Sequence, residues 1–91
     1  MKKIIILKDI CSGSILPEHG KQLFKEIQKN IRCKQIFLSL EGFEIMSQSF
    51  LNASLCLMIS LTSKAFVRNK IALINCRPSH YEYIKNYVEN Y

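Results

Sequence analysis

Between positions 37 and 59 the chain reads FLSLEGFEIMSQSFLNASLCLMI. An apolar strand-like run is followed by a short turn and then by a stretch that is apolar on nearly every side of a helix. The segments on either side follow the two simple periods of secondary structure. Lys3 to Ile10 holds Ile4, Ile5, Ile6 and Leu7 in a row, the mark of a short strand of the buried kind found in parallel sheets. Cys11-Ser12-Gly13-Ser14 reads as a turn, and Pro17 suits the first turn of a helix, where its missing N–H does no harm. From there Gly20, Leu23, Phe24, Ile27 and Ile31 share one helical face, while Glu18, Lys21, Gln22, Lys25, Glu26 and Lys29 take the other. The spacing predicts an amphipathic helix of about 14 residues, with Gly20 allowing close approach to a sheet. Lys34 to Leu40 is the second predicted strand, left through Glu41-Gly42, and Phe43, Ile45 and Met46 tie the connection to the core.

Ser47 is a good N-cap, because its hydroxyl can accept from a first-turn N–H. The helix that follows, Gln48 to roughly Leu61, carries Phe50, Leu51, Ala53, Leu55, Cys56, Leu57, Met58, Ile59 and Leu61. Such a helix is either buried on two sides or exposed for a partner. Two-sided burial is hard to arrange in a small domain, so a self-association or docking surface is one expectation, and cover from flanking loops and the last helix is the other. Thr62 to Asn69 reads as a basic connection anchored by Phe66 and Val67. Lys70 to Cys76 is the third strand, ended by Pro78, and Ser79 to Glu82 has the S-x-x-E pattern of a capping box. The last helix, running to about Tyr91, places Ile84, Tyr87, Val88 and Tyr91 on one face. Strand and helix alternate three times, in the order β-α-β-α-β-α. That order predicts a small α/β fold, a mostly parallel short sheet with helices packed on it. With so few strands, an added edge strand or a homodimer is also expected.

Composition narrows the class. Ninety-one residues, 48% of them hydrophobic, make one globular domain over 1–91. The formal net charge of +6 favours acidic partners or nucleic acid, although a basic solvated surface accounts for it equally simply. Cys11, Cys33, Cys56 and Cys76 are widely spaced, with no C-x-x-C pair and no histidine beside them, so reduced core-filling thiols are expected and a metal site is not. The apolar run after Lys2-Lys3 is too short for a secretory signal, and Ala53 to Leu61 is too short to span a bilayer. The expected location is cytoplasmic, with no membrane partner.

Little in the chain is equipped for catalysis. His19 and His80 fall in first turns of separate helices, with no nucleophile or carboxylate arranged around them. Cys11-Ser12-Gly13-Ser14 lacks the glycine spacing and lysine of a P-loop. No catalytic residue and no cofactor are expected. The polar cluster Ser47-Gln48-Ser49 stands at the start of the apolar helix, where capping is one reading and a phosphorylation switch another. A phosphate on Ser49 adds roughly −1.5 to −2 charges to a docking face. Lys21, Lys25 and Lys29, with Arg32 and Lys34 beyond, form a basic patch for phosphates or an acidic protein. It lacks the interleaved aromatics of a single-strand binder. Tyr81, Tyr83, Tyr87 and Tyr91 read as a packed helix face.

The block Leu38-Ser39-Leu40-Glu41-Gly42-Phe43, then Ile45-Met46-Ser47-Gln48-Ser49-Phe50-Leu51-Asn52-Ala53, resembles STAS-like domains, in particular the small bacterial and phage family of unknown function DUF4325. That family's pattern is a hydrophobic strand, D-F-E-G-V, a short spacer, S-x-x-F and a small-residue helix. The resemblance is strong over about a quarter of the chain. Ser39 stands where the pattern has its strand-end Asp. In STAS antagonists of anti-sigma factors a D-S-S-G motif opens the corresponding helix, and its second serine is phosphorylated. Aligned by element, Ser47 takes the Asp position, Gln48 the first serine, Ser49 the second and Phe50 the glycine.

The resemblance implies a non-catalytic binding module, with Ser47, Gln48, Ser49, Phe50 and Asn52 as partner-binding positions, Ser49 as possible phosphoacceptor, and a histidine-kinase-like ATPase as the kind of partner. The expected function is protein–protein recognition by a bacterial or phage regulator acting through the helix that begins at Ser47. The alternatives are a phage-encoded inhibitor of a host defence protein, of anti-CRISPR type, acting in the host cell, and a small basic nucleic-acid-binding protein.

Overall fold

A computed structural model describes residues 2–11, 17–43 and 47–91, and the side chain of residue 17 is not among them. Ile45 and Met46, and Ser12, Gly13 and Ser14 of the predicted turn, lie outside the described residues. The β-branched run forms β1 (Lys2–Ile6), which passes into a short 3₁₀ turn at Leu7–Asp9. Then come α1 (Pro17–Lys29), β2 (Gln35–Ser39), α2 (Gln48–Ala53), α3 (Leu55–Leu61), α4 (Lys64–Lys70), β3 (Ile71–Ile74) and α5 (Pro78–Glu89). The strands pair in the order β1-β2-β3, parallel throughout, as the alternation of strands and helices predicts. Stepping in one direction across the sheet with crossovers of the usual right hand puts both helical connections on the same face. Contact between α1 and α2 agrees with that placement.

The buried face of the sheet is made by Ile5, Ile36, Leu38 and Ile71. Over it lie Leu23 and Ile27 from α1, Phe50 and Leu51 from α2, Leu55, Met58 and Ile59 from α3, Val67 from α4 and Ile84 from α5. Gly20 is indeed a point of close approach, but the neighbour is a helix rather than the sheet. A Cβ there would stand 2.8 Å from the Phe50 carbonyl oxygen and 2.9 Å from the Ala53 Cβ.

The long apolar helix expected from Gln48 to Leu61 is two helices. Ser54, at φ −120° and ψ −90°, breaks it, and its buried hydroxyl donates to the Phe50 carbonyl at 2.8 Å. The bend lets both pieces follow the core, so their apolar residues join one cluster with residues of α1, the sheet, α4 and α5. Two-sided burial is achieved after all, and the expectation of a greasy docking helix is overturned: only Leu57 and Leu61 remain exposed.

Two local readings are also corrected. The stretch read as a connection after Thr62 contains α4, capped by Ser63, whose hydroxyl accepts from the Phe66 N–H at 3.0 Å. The expected capping box at Ser79 is displaced, because α5 already starts at Pro78 with Arg77 as N-cap, leaving Ser79 inside the helix. α5 is fastened by the Arg68 guanidinium, which forks onto the Glu89 carboxylate at 3.0 Å through two nitrogens, and by Lys64 donating to the Glu89 carbonyl at 2.7 Å.

Candidate functional site

The corner after β2 is built as its cap predicts. The Ser47 hydroxyl accepts from the Phe50 N–H at 3.2 Å and lies 3.2 Å from the Ser49 hydroxyl. Ser47, Gln48, Ser49 and Asn52 are all exposed. Asn52 accepts from the Tyr87 hydroxyl at 2.8 Å through its side-chain oxygen, so α5 joins α2 at the rim of the corner. Phe50 is the exception among the expected partner-binding residues. It points inward and is fully buried, because the first turn of α2 needs one large anchor in the core. It is therefore a core residue and not part of a docking surface.

The carboxyl end of β2 precedes this corner in sequence, and the parallel pairing sets the carboxyl end of β3 beside that of β2. In open α/β sheets that edge is where ligands bind. Here it holds a shallow cleft of about 280 Å³ lined by Leu40, Glu41, Gly42, Phe43, Asn75, Cys76 and Arg77. Glu41 ion-pairs with Lys8 at 3.3 Å. Asn75 takes a left-handed backbone at φ 56° and donates through Nδ2 to the Ser39 hydroxyl at 3.0 Å, tying the ends of the two strands. Sequence reasoning passed over Asn75. Its signal was an Asn closing an apolar strand, a residue type that tolerates left-handed backbone. Ser39, where the family pattern has Asp, is buried and serves as acceptor in this tie.

His80, in the first turn of α5, is buried at 4% exposure. Its ring lies beside the Phe43 backbone, but neither ring nitrogen reaches a hydrogen-bonding partner among the described residues. Burial lowers its pKa below the ordinary histidine value, and the Phe43 backbone pulls weakly the other way. A neutral, enclosed imidazole with no hydroxyl, thiol or carboxylate bonded to it is not a general base aimed at a substrate. Burial likewise raises the pKa of Cys11, Cys56 and Cys76, which disfavours the reactive thiolate. All four cysteines are free. Among the described residues no group of three His, Cys, Asp or Glu side chains is placed to hold a metal ion, and no single helix is long and apolar enough to cross a membrane.

Lys25 and Lys29 line an open cleft of about 360 Å³ on the flank of α1, shared with Gln22 and with the carboxylates of Asp9 and Glu26. Lys21, Lys25 and Lys29 are exposed along α1, Lys29 pairs with Glu26 at 3.3 Å, and Arg32 and Lys34 are exposed in the turn before β2. This is a solvated cationic surface interrupted by carboxylates.

Neither the curated proteins nor the solved structures yield a match. Among protein families, the STAS-like domain of unknown function (DUF4325) matches residues 19–81. The match begins in the first turn of α1, takes in β2, the Ser47 corner and β3, and ends in the first turn of α5. It covers well over half of the chain, and the protein belongs to this STAS-like family.

Proposed function

We propose that this chain is a non-catalytic protein-recognition module whose contact surface is the polar corner formed by Ser47, Gln48, Ser49 and Asn52, with Ser49 as a phosphorylation switch. The observation that carries the reading is the division of labour between two neighbouring hydroxyls. Ser47 caps α2, whereas Ser49 is exposed and, among the described residues, bonds to the cap hydroxyl. A group can be added to Ser49 without opening the core, and a phosphate there places roughly two negative charges on the contact surface. A carboxylate-bearing partner is then repelled and a guanidinium-bearing one attracted. Membership of a STAS-like family supports a regulator whose partner is a histidine-kinase-like ATPase. The inhibitor reading uses the same surface against a host defence protein and differs only in what is captured.

The test is capture of the partner from the native host by the wild-type chain and by two variants. Retention by Ser49→Ala and loss by Ser49→Asp are expected, together with one added phosphate on wild type, by intact mass, when the captured kinase is given ATP. Equal capture by both variants, with no phosphate added, overturns the reading. An ATPase in the captured fraction identifies the regulator, and a nuclease or other defence effector identifies the inhibitor.

A further inference from the structure

The sheet has a second face. Because every helix packs on one side, the strand register leaves two rows on the other: Ile4 beside Phe37 beside Ala72, and Ile6 beside Ser39 beside Ile74. Ile4 is 58% exposed and Ile6 38%. Phe37, Ala72 and Ile74 are half-buried, and none of them packs against the core. Parallel sheets normally bury both faces, so an apolar open face on one is an incomplete layer. Its size matches a small occupant. Three strands of about five residues span roughly 14 by 17 Å, the footprint of one helix about 10–12 Å wide and three turns long. That is far below the roughly 800 Å² per partner of a standard protein–protein interface, so any occupant is held weakly and charge decides which one fits.

Charge narrows the occupant further. The three strands, KKIII, QIFLS and IALI, contain no acidic residue. Lys2 stands over the Phe37 ring, its Nζ 5.8 Å from the centroid. Lys2 shares the open side with Gln35 and Ile4, whereas Lys3 stands opposite buried Ile36 and belongs to the helix-covered side. A second copy would bring another +6 and a second Lys2 to the contact.

We infer that the open face of the β1-β2-β3 sheet seats an acidic amphipathic helix of a partner protein. Its apolar stripe lies on Ile4, Ile6, Phe37 and Ile74, and its carboxylates lie beside Lys2. This surface is on the other side of the sheet from α2 and stands independently of the Ser47 corner.

The experiment uses a fluorescein-labelled synthetic helix of alanine, leucine and glutamate, with leucines on one stripe, and its twin with lysine in place of glutamate. Anisotropy is read on the full chain, with sedimentation velocity on the same samples. The acidic helix is expected to bind, more weakly as salt rises, and Ile4→Glu or Ile6→Asn is expected to weaken it about tenfold or more. Leu61→Glu, at an exposed leucine of α3, is expected to leave binding unchanged. Far-UV circular dichroism checks that each variant is folded, and two substitutions at separate positions keep the test open should one of them unfold. Equal binding of the lysine twin, or binding indifferent to both sheet-face substitutions, overturns the proposal. So does a concentration-dependent dimer that Ile4→Glu abolishes, because the face then belongs to a second copy.

Discussion

Gly20→Ala sets two physical effects against each other at one atom. On helix propensity alone, replacing a mid-helix glycine by alanine stabilises by about 1 kcal/mol. The structure opposes that gain. The new methyl would lie 2.8 Å from the Phe50 carbonyl oxygen and 2.9 Å from the Ala53 Cβ, both in α2. Ordinary carbon contacts are at about 3.5–4.0 Å, so α1 has to retreat by roughly 0.7–1 Å. The obstacle is a backbone carbonyl within a helix and cannot swing aside as a flexible side chain would. A retreat of that size loosens Leu23 and Ile27, which are fully buried on the same face of α1. Overpacking costs about 1–3 kcal/mol, and a rigid obstacle argues for the upper half of that range. After the propensity gain is subtracted, a net loss of about 1–2 kcal/mol remains. In a domain of this length that lowers Tm by roughly 4–16 °C. Thermal and urea unfolding followed by circular dichroism measure it, with Gln22→Ala at an exposed site of the same helix as a control expected within about 0.5 kcal/mol of wild type. A Gly20→Ala protein as stable as wild type, or more so, would refute the close helix–helix contact.

Ser54→Ala removes the hydroxyl that donates to the buried Phe50 carbonyl at the break between α2 and α3. A loss of about 1–3 kcal/mol is expected in urea unfolding, and an unchanged midpoint counts against that hydrogen bond as the stabiliser of the bend. His80 sets a pH dependence. Its folded-state pKa is lowered by burial, so the unfolded chain takes up the proton first as pH falls. The contribution is fully present above the ordinary histidine value of about 6.5 and is lost as pH drops through it, levelling off below the folded pKa. His80→Phe is expected to flatten the slope of unfolding free energy between about pH 7 and pH 5. An identical slope in wild type and variant argues against a neutral buried imidazole.

Several features were readable before any coordinates because they depend on neighbours along the chain. Ile4-Ile5-Ile6 and the run Ile36 to Leu38 declare strands, and the apolar spacing from Gly20 to Ile27 declares α1. Ser47 sits at the start of the run that becomes α2 and caps it through its own hydroxyl. The alternation of these elements fixes a parallel sheet, because a strand returning in the same direction needs a crossover. Short-range signals also misled. Ser63 had the same S-x-x-F spacing as Ser47, but a seven-residue basic helix carries too little apolar periodicity to stand out, and α4 was read as a connection.

The candidate site was half legible. Ser47, Gln48, Ser49 and Asn52 do come together on the surface, while Phe50, one residue further along the same turn, faces the core. Sequence alone determined the order of the elements, their caps and the polar corner, since propensity, periodicity and capping act over three or four residues. Tertiary structure decided what those elements cover. An all-round apolar segment looks the same whether it awaits a partner or is enclosed by α1, the sheet and α5, and an Ile-rich strand reads as buried on both faces whether or not anything packs on the second. Burial is a property of what other segments of the chain place nearby, and helices gathered on one side of the sheet leave Ile4 and Ile6 in water.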